Sequence, residues 1–406
     1  GATVDNAAET QEACAERPGP GPDDPQQRHE ALLAKYKHVK GFAQTGATAF
    51  AVKRFEELGL GDEERALERL NLAERSAMRQ LRIDLGALRG RLAKDLAVTI
   101  EDPVEQAKEL NRAADIYEKV FEENHQAAYP LVNVAALRLW AGDADRSRRA
   151  AELVLKLLDE NPPTEPDYWH FATLGEAHLL VGNTASAARE LELAAKLGRK
   201  GKDTLWDCYA STGRQLRRNC RVLGIDDAFL APLRVPPLIV YAGDRPGPRL
   251  RLDQEVGLAS AIRTRLADGE SHIGFGGLAA GADILFAEAL LERGADLHVV
   301  LACSEESFVE EAVAPYGAPW IERFGACLKE AKSVKHATTY GYRGHSAPVR
   351  YACRLAMGQA ILRARSFDTT AVMLAACNAD IQVGEDLFDP IEEVAFWSGK
   401  GWDCLL

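Results

Sequence analysis

Glycines precede a carboxylate-bearing helical pattern between residues 273 and 288, the stretch whose residue types could most directly hold a ligand. It reads Ile273-Gly-Phe-Gly-Gly-Leu-Ala-Ala-Gly-Ala-Asp-Ile-Leu-Phe-Ala-Glu288. Glycine has no Cβ, so a ligand can approach its backbone closely. The helix predicted from about Ala279 would point its positive N-terminal end at the same place. Gly276, Gly277, Gly281 and Asp283 are therefore candidate contacts to a phosphorylated ligand. The alternative is a strand-to-helix turn that only packs.

Two strands predicted on either side of this stretch give it a Rossmann-like setting. Leu238–Ala242 and Asp296–Ala302 are short apolar runs, and the order is strand, helix, strand, glycine loop, helix, strand. Ligands of open α/β sheets bind outside the carboxyl ends of the strands. The first strand runs into Gly243, Asp244 and Arg245, so Arg245 could pair with a phosphate and Asp244 could accept a ribose hydroxyl. The alternative is an Asp–Arg turn that closes on itself.

The loop differs from two common phosphate-binding motifs. The pattern Gly-x-Gly-x-x-Gly would need a third glycine where the chain has Ala279, and no Gly-Lys-Ser/Thr follows as in a P-loop. Other candidates lie further along the chain. Ser304 follows the third strand and could either cap a helix or line the pocket rim. Arg343 and Arg350 belong to a segment, 340–350, that could hold phosphates or be a plain surface loop.

The run from Gly276 to Leu290, with Gly294 and the strand to Leu301, resembles the SLOG superfamily, which includes DNA-processing protein A and the cytokinin-activating LOG enzymes. The resemblance covers about residues 236–380. It implies binding of a nucleotide, a nucleotide-derived signal or single-stranded DNA at the glycine loop. Some LOG relatives cleave an N-glycosidic bond, and Glu288 is the carboxylate that the resemblance suggests for catalysis. Their motif Pro-Gly-Gly-x-Gly-Thr-x-x-Glu is absent here, which argues against that activity.

The preceding part of the chain contains only helical patterns and looks repetitive. Gly142 and Gly182 each lie between two helical patterns, as in tetratricopeptide-like stacking. The segments Tyr117–Phe121 and Tyr168–Gly175 help to give this region a resemblance to the tetratricopeptide-like TRAFs-binding region of apoptosis signal-regulating kinases and bacterial signalling proteins. That resemblance implies an interaction scaffold that binds a protein partner.

Composition narrows the function classes. The chain has 406 residues, enough for two or three domains, and a formal net charge of −12, which argues against a broad nucleic-acid-binding surface. Its eight cysteines form no Cys-x-x-Cys pairs. We therefore expect free thiols in the cytoplasm and no metal site. No apolar run is long enough to span a bilayer, so no membrane association is expected. The oligomeric state stays open, with a homo-oligomer among the options.

The predicted fold class is an N-terminal helical-repeat domain followed by a Rossmann-like parallel-sheet domain. The predicted boundaries are a disordered leader at 1–28, the helical repeats at 29–229, a linker at 230–237 and the α/β domain at 238–406. The favoured function is a regulatory protein that binds a nucleotide-type ligand and no other cofactor. The alternatives are an N-glycosidase that uses Glu288 and a single-stranded DNA binder.

Overall fold

The computed structural model describes residues 25–67, 72–200, 203–268, 272–341, 346–378, 380, 389–401 and 404–405. These residues form two compact units that divide between Leu157 and Leu158. The predicted disordered leader falls outside the described residues up to residue 24, and its last four residues begin the first helix. No helix in the described ranges is long and apolar enough to cross a membrane.

The described residues of the first unit form helices and no strands. These helices are α1 (Pro25–Gln44), α2 (Thr48–Glu57), α3 (Leu60–Leu67), α4 (Leu72–Ala97), α5 (Pro103–Glu123), α6 (Ala128–Trp140) and α7 (Ala144–Glu160), the last of which crosses the division. The side chain of Asp102 accepts a hydrogen bond from the Glu105 N–H at 2.8 Å, and this cap starts α5 at Pro103. Helices α4, α5 and α6 pack on one another in sequence order around buried Leu110, Tyr117 and Leu137.

The second unit begins with three more helices, α8 (Tyr168–Leu180), α9 (Thr184–Gly198) and α10 (Trp206–Leu223), followed by a 3₁₀ helix, Ala228–Leu233. Gly142 and Gly182, the two predicted turn glycines, have φ of +89° and +88°, a backbone conformation that glycine adopts without strain. The side chains of α8 to α10 share one hydrophobic core with the parallel sheet. Part of the predicted helical domain therefore lies in the same compact unit as the sheet.

A six-stranded sheet forms the centre of this unit. Its strands are β1 (Leu238–Gly243), β2 (Ile273–Gly276), β3 (Asp296–Leu301), β4 (Ser333–His336), β5 (Ala371–Ala376) and β6 (Cys404–Leu405). The order is β4-β3-β2-β1-β5-β6, and all five strand pairs are parallel. A helical-repeat-like region followed by a Rossmann-like α/β sheet is the predicted fold class, which the structure confirms.

Helices connect and cover the strands. They are α11 (Glu255–Asp268), α12 (Ala282–Glu292), α13 (Glu305–Ala312), α14 (Ala318–Glu330), α15 (Ala347–Ser366) and α16 (Pro390–Ser398). Both α12 and α15 pack on β1, β2 and β3. Tyr241 pairs with Gly276, and Gly276 pairs with Val299, so β1, β2 and β3 end at one edge of the sheet. The candidate site lies at this edge.

Candidate functional site

A small cavity of about 40 Å³ lies at the carboxyl ends of β1, β2 and β3. It is lined by Tyr241, Ala242, Gly243, Arg245, Gly276, Gly277, Ala279, Asp283, Val300, Ala302, Phe308, Val349, Ala352 and Cys353. Of the residues predicted as ligand contacts, the cavity brings together Gly243, Arg245, Gly276, Gly277 and Asp283. Residues that are 40 positions apart in the chain thus meet at the sheet edge where parallel α/β folds bind ligands.

Most of the glycines are needed for close packing between elements. A Cβ at Gly276 would lie 2.3 Å from the Tyr241 ring, and one at Gly243 would lie 2.4 Å from the Ala282 Cβ. Gly281 has φ of +97°, and a Cβ there would lie 2.6 Å from the carbonyl oxygen of Asp244. Close packing therefore explains the glycine at each of these three positions, and Gly243 and Gly276 also line the cavity. With Gly281 as its N-cap residue, α12 begins at Ala282, three residues later than predicted.

Gly277 differs because the group beside it is the carboxylate of Asp283. A Cβ at Gly277 would lie 2.6 Å from Asp283 Oδ2. That same oxygen accepts a hydrogen bond from the Ala279 N–H at 3.3 Å, and the Gly243 N–H also stabilises the carboxylate. Burial nevertheless raises the pKa of Asp283 to about 6, against the lowering effect of these N–H groups and of the Arg245 charge. The cavity lining thus includes a hydrogen-bond acceptor, the Asp283 carboxylate, whose pKa is raised to about 6.

Arg245 supplies the positive charge of the cavity. Its side chain is half-buried and lines the cavity. Among the described residues, no hydrogen bond or ion pair engages its guanidinium, and its interaction with Asp283 is through charge alone. Guanidinium groups bind phosphates and carboxylates through paired hydrogen bonds. The cavity therefore places a carboxylate and a guanidinium where a polar ligand could meet both.

Asp244 has a different environment from the predicted ribose contact. Its carboxylate accepts a hydrogen bond from the Asn378 N–H at 2.7 Å and faces Arg249 Nη1 at 3.5 Å. Arg249 also forms a paired interaction with Asp389 at 2.7 and 3.2 Å, and Asp389 caps α16 through the Ile391 N–H. Burial raises the pKa of Asp244, while the Asn378 N–H and Arg249 lower it. Asp244 is not among the lining residues, and its contacts hold the turn after β1 to the start of α16.

Four other predicted residues are described and do not line the cavity: Gly281, Glu288, Ser304 and Arg350. Glu288 forms a paired ion pair with Arg323, with both N–O distances at 2.7 Å. Arg350 bonds to Glu392 at 2.8 Å, which ties α15 to α16. Ser304 is the N-cap residue of α13 and makes no side-chain cap bond. Arg343 lies outside the described residues.

Several lining residues were not predicted from the sequence. Phe308 on α13 and Val349 and Ala352 on α15 give the cavity apolar walls, and Cys353 adds a thiol. Burial is the first cause of a strongly raised pKa at Cys353, so this thiol is neutral. The available signal was positional, because Val349 lies within the predicted 340–350 site segment and Ala352 and Cys353 follow it directly, on the helix α15 that begins at Ala347. In the described part of the chain, no group of three or more His, Cys, Asp or Glu residues is placed to hold a metal ion.

The first unit contains a second and larger cavity, of about 1050 Å³. Apolar side chains from three helices line it, including Phe55, Leu92, Leu96 and Ile116. Charged residues of both signs also border it, among them Asp62, Arg65, Glu109, Arg112, Asp115 and Lys119. Its size and mixed lining are typical of a groove that accepts a peptide segment rather than a small polar molecule.

Comparison with known families supports the reading of the helical part. The family model described as Tetratricopeptide Repeats-Sensor matches residues 4–138, which is less than half of the chain. The match indicates a protein-interaction and regulatory role for this region. A search of curated proteins finds no match. The N-terminal part of this chain is thus similar to a tetratricopeptide-type sensor domain, and the parallel α/β sheet lies beyond the matched residues.

Proposed function

We propose that this chain is a regulatory signalling protein whose α/β unit binds a nucleotide or a nucleotide-derived messenger. Its helical-repeat part passes this event to a protein partner. The observation that carries the proposal is the cavity at the carboxyl ends of β1, β2 and β3, where Arg245, Gly277 and Asp283 meet. Its position is the one that ligands occupy in open parallel sheets.

The chemistry of the cavity matches the parts of a nucleotide. Arg245 can bind an anionic group, Asp283 can accept hydrogen bonds from hydroxyls, and Phe308 and Val349 offer an apolar wall. The volume of about 40 Å³ is far below the roughly 300 Å³ of a typical small-molecule site. The cavity therefore receives one part of the ligand, and the rest lies along its rim. The resemblance to the SLOG superfamily at Gly276–Leu290 favours the same class of ligand.

The relay to a partner rests on the helical unit. The match to a tetratricopeptide-type sensor model and the large groove of α2 to α5 both favour a protein partner there. The resemblance to TRAFs-binding regions adds a signalling context. On this proposal the sheet edge binds the messenger, and the helical repeats bind the protein partner.

A thermal-shift panel tests the ligand proposal. The 406-residue chain is mixed with nucleoside mono- and diphosphates, cyclic nucleotides and ADP-ribose, and each mixture is then analysed by chromatography. We expect stabilisation by at least one intact nucleotide, which is lost in Arg245→Ala. The matched control is Arg251→Ala, because Arg251 is exposed, bonds to Asp253 and does not line the cavity. No stabilisation by any nucleotide would contradict the proposal.

One observation keeps a hydrolase as a second candidate. The cavity contains a carboxylate, Asp283, whose pKa of about 6 suits a general acid or base. The carboxylate suggested by the family resemblance, Glu288, is instead bound to Arg323. The same chromatograms separate the two functions. A released base that disappears in Asp283→Asn would favour an N-glycosidase, and an unchanged nucleotide favours a sensor.

A further inference from the structure

Three backbone N–H groups of the glycine loop and the start of α12, which could otherwise hold a phosphate, are already engaged in this protein. The Ala279 N–H donates to Asp283 at 3.3 Å, the Ala280 N–H to the Ala312 carbonyl at 3.0 Å, and the Ala282 N–H to the Asp244 carbonyl at 3.0 Å. The Gly243 N–H also interacts with the carboxylate of Asp283. The carboxylate thus takes the position at the start of α12 that an incoming anion would need.

A phosphate beside this carboxylate would meet a fixed negative charge. Asp283 Oδ2 lies close to Gly277, one of the three glycines that line the cavity. The other groups that face Asp283 are Arg245 from the turn after β1, Tyr241 from β1 and Cys353 from α15. Burial raises the pKa of both the Tyr241 hydroxyl and the Cys353 thiol, so both are neutral. Arg245 is therefore the one cation among these neighbours, and it also lines the cavity.

We propose that Asp283 selects the sugar of the ligand, by accepting hydrogen bonds from a ribose 2′,3′-diol in the cavity while the phosphate binds Arg245. This inference rests on the proposed function and assigns its ligand class, a nucleotide with a free ribose diol. It reverses the arrangement that the glycine loop suggests from sequence, where the phosphate would lie at Gly277 and the start of α12. A narrow cavity suits the edge of a sugar better than a hydrated phosphate.

Matched pairs of nucleotides test this assignment by titration calorimetry on the 406-residue chain. The probes are AMP, GMP, CMP and UMP, each paired with its 2′,3′-dideoxy counterpart. We expect at least one ribonucleotide to bind and its dideoxy counterpart to bind about tenfold to hundredfold more weakly, the usual effect of hydrogen bonds to a charged group. A 3′,5′-cyclic nucleotide lacks the free diol and should bind as weakly as the dideoxy form.

Asp283→Asn separates the two arrangements by the sign of its effect. If the carboxylate accepts the diol, the variant binds the ribonucleotide more weakly and loses most of the preference over the dideoxy form. If a phosphate binds at Gly277, removal of the negative charge strengthens binding of both nucleotides. Glu292→Gln is the matched control, since Glu292 lies on the same helix, bonds to Arg263 and is absent from the cavity lining. This control should keep the preference of the unchanged protein.

The outcomes distinguish this inference from the proposed function. Equal binding of a ribonucleotide and its dideoxy counterpart would overturn the role of Asp283 and leave nucleotide binding intact. Stronger binding by Asp283→Asn would overturn it in the same way. Binding by none of the eight probes would overturn the diol assignment, and the thermal-shift panel then decides whether any nucleotide binds.

Discussion

Asp283→Asn should make the second compact unit more stable at neutral pH, although it impairs the site. Burial raises the pKa of Asp283 from its ordinary 3.8 to about 6. Because one pKa unit corresponds to about 1.4 kcal/mol, the ionised carboxylate costs at most about 3 kcal/mol of folding free energy. Asparagine has nearly the same shape and no charge, so the variant avoids this cost. A charged group that destabilises the fold in this way is typical of a functional site.

The sign of the effect follows from proton binding. The folded state holds the proton of Asp283 more tightly than the unfolded state, so the cost is complete above about pH 6. It shrinks as the pH falls, because the folded state then takes up the proton, and it is below about 1 kcal/mol at pH 4. The increase in the free energy of unfolding that the variant brings should therefore be large at pH 7.5 and small at pH 4.

Urea unfolding followed by tryptophan fluorescence measures this gain. Trp206, Trp320 and Trp397 are buried in the second unit and report on its unfolding. We expect the variant to gain about 1–3 kcal/mol in the free energy of unfolding at pH 7.5. This gain should fall below about 1 kcal/mol at pH 4. A gain that does not change with pH would refute the reasoning. A loss of stability at pH 7.5 would refute it as well, because the hydrogen bonds of the carboxylate would then outweigh its burial.

Three further changes test the surrounding structure. Arg249→Met leaves the buried carboxylate of Asp244 without its cation, so urea unfolding should show a loss of about 3 kcal/mol; a loss below about 1 kcal/mol would contradict this. Burial and nearby cations lower the pKa of His298 to about 4, so the folded state keeps this side chain neutral and loses stability as the pH falls from about 6.5 to 4. His298→Gln should remove up to about 3 kcal/mol of this pH dependence in urea unfolding. An unchanged pH profile of stability would disprove this. Gly277→Ala places a Cβ 2.6 Å from Asp283 Oδ2, so nucleotides should no longer shift the melting temperature, while the circular dichroism spectrum stays native. Thermal shifts that persist in this variant would show that the nucleotide binds elsewhere.

Much of the architecture follows from local patterns. Short apolar runs predicted β1 and β3, and the turn glycines Gly142 and Gly182 predicted helix pairs that the structure contains. Parallel order then fixed the edge at which the strands end together. For this reason the sequence could name Gly277, Asp283 and Arg245, which all line the cavity.

The choice between candidate carboxylates could not be made from the sequence. Asp244 and Asp283 both looked available for a ligand, but Asp244 is held by the Asn378 N–H, which lies 134 residues away in the chain. Glu288 is likewise engaged by Arg323, a residue on α14. Such partners are brought together only by the packing of helices around the sheet. Local spacing carries no information about them.

The role of each glycine could not be predicted from the sequence either. Their number suggested an open loop for a phosphate, yet the space beside Gly276 is filled by the Tyr241 ring, and that beside Gly281 by the turn after β1. A missing Cβ indicates close approach of some group, and the sequence does not say whether that group is a ligand or another part of the protein.

A crystal structure of the protein with the nucleotide that gives the largest thermal shift would test the central claim most directly. The account predicts the ligand at the carboxyl ends of β1, β2 and β3, with its ribose hydroxyls within about 3 Å of Asp283 and its phosphate bonded to Arg245. A phosphate at Gly277 and the start of α12 would contradict the orientation. A nucleotide bound in the groove of the helical unit, with the sheet edge empty, would contradict the account as a whole.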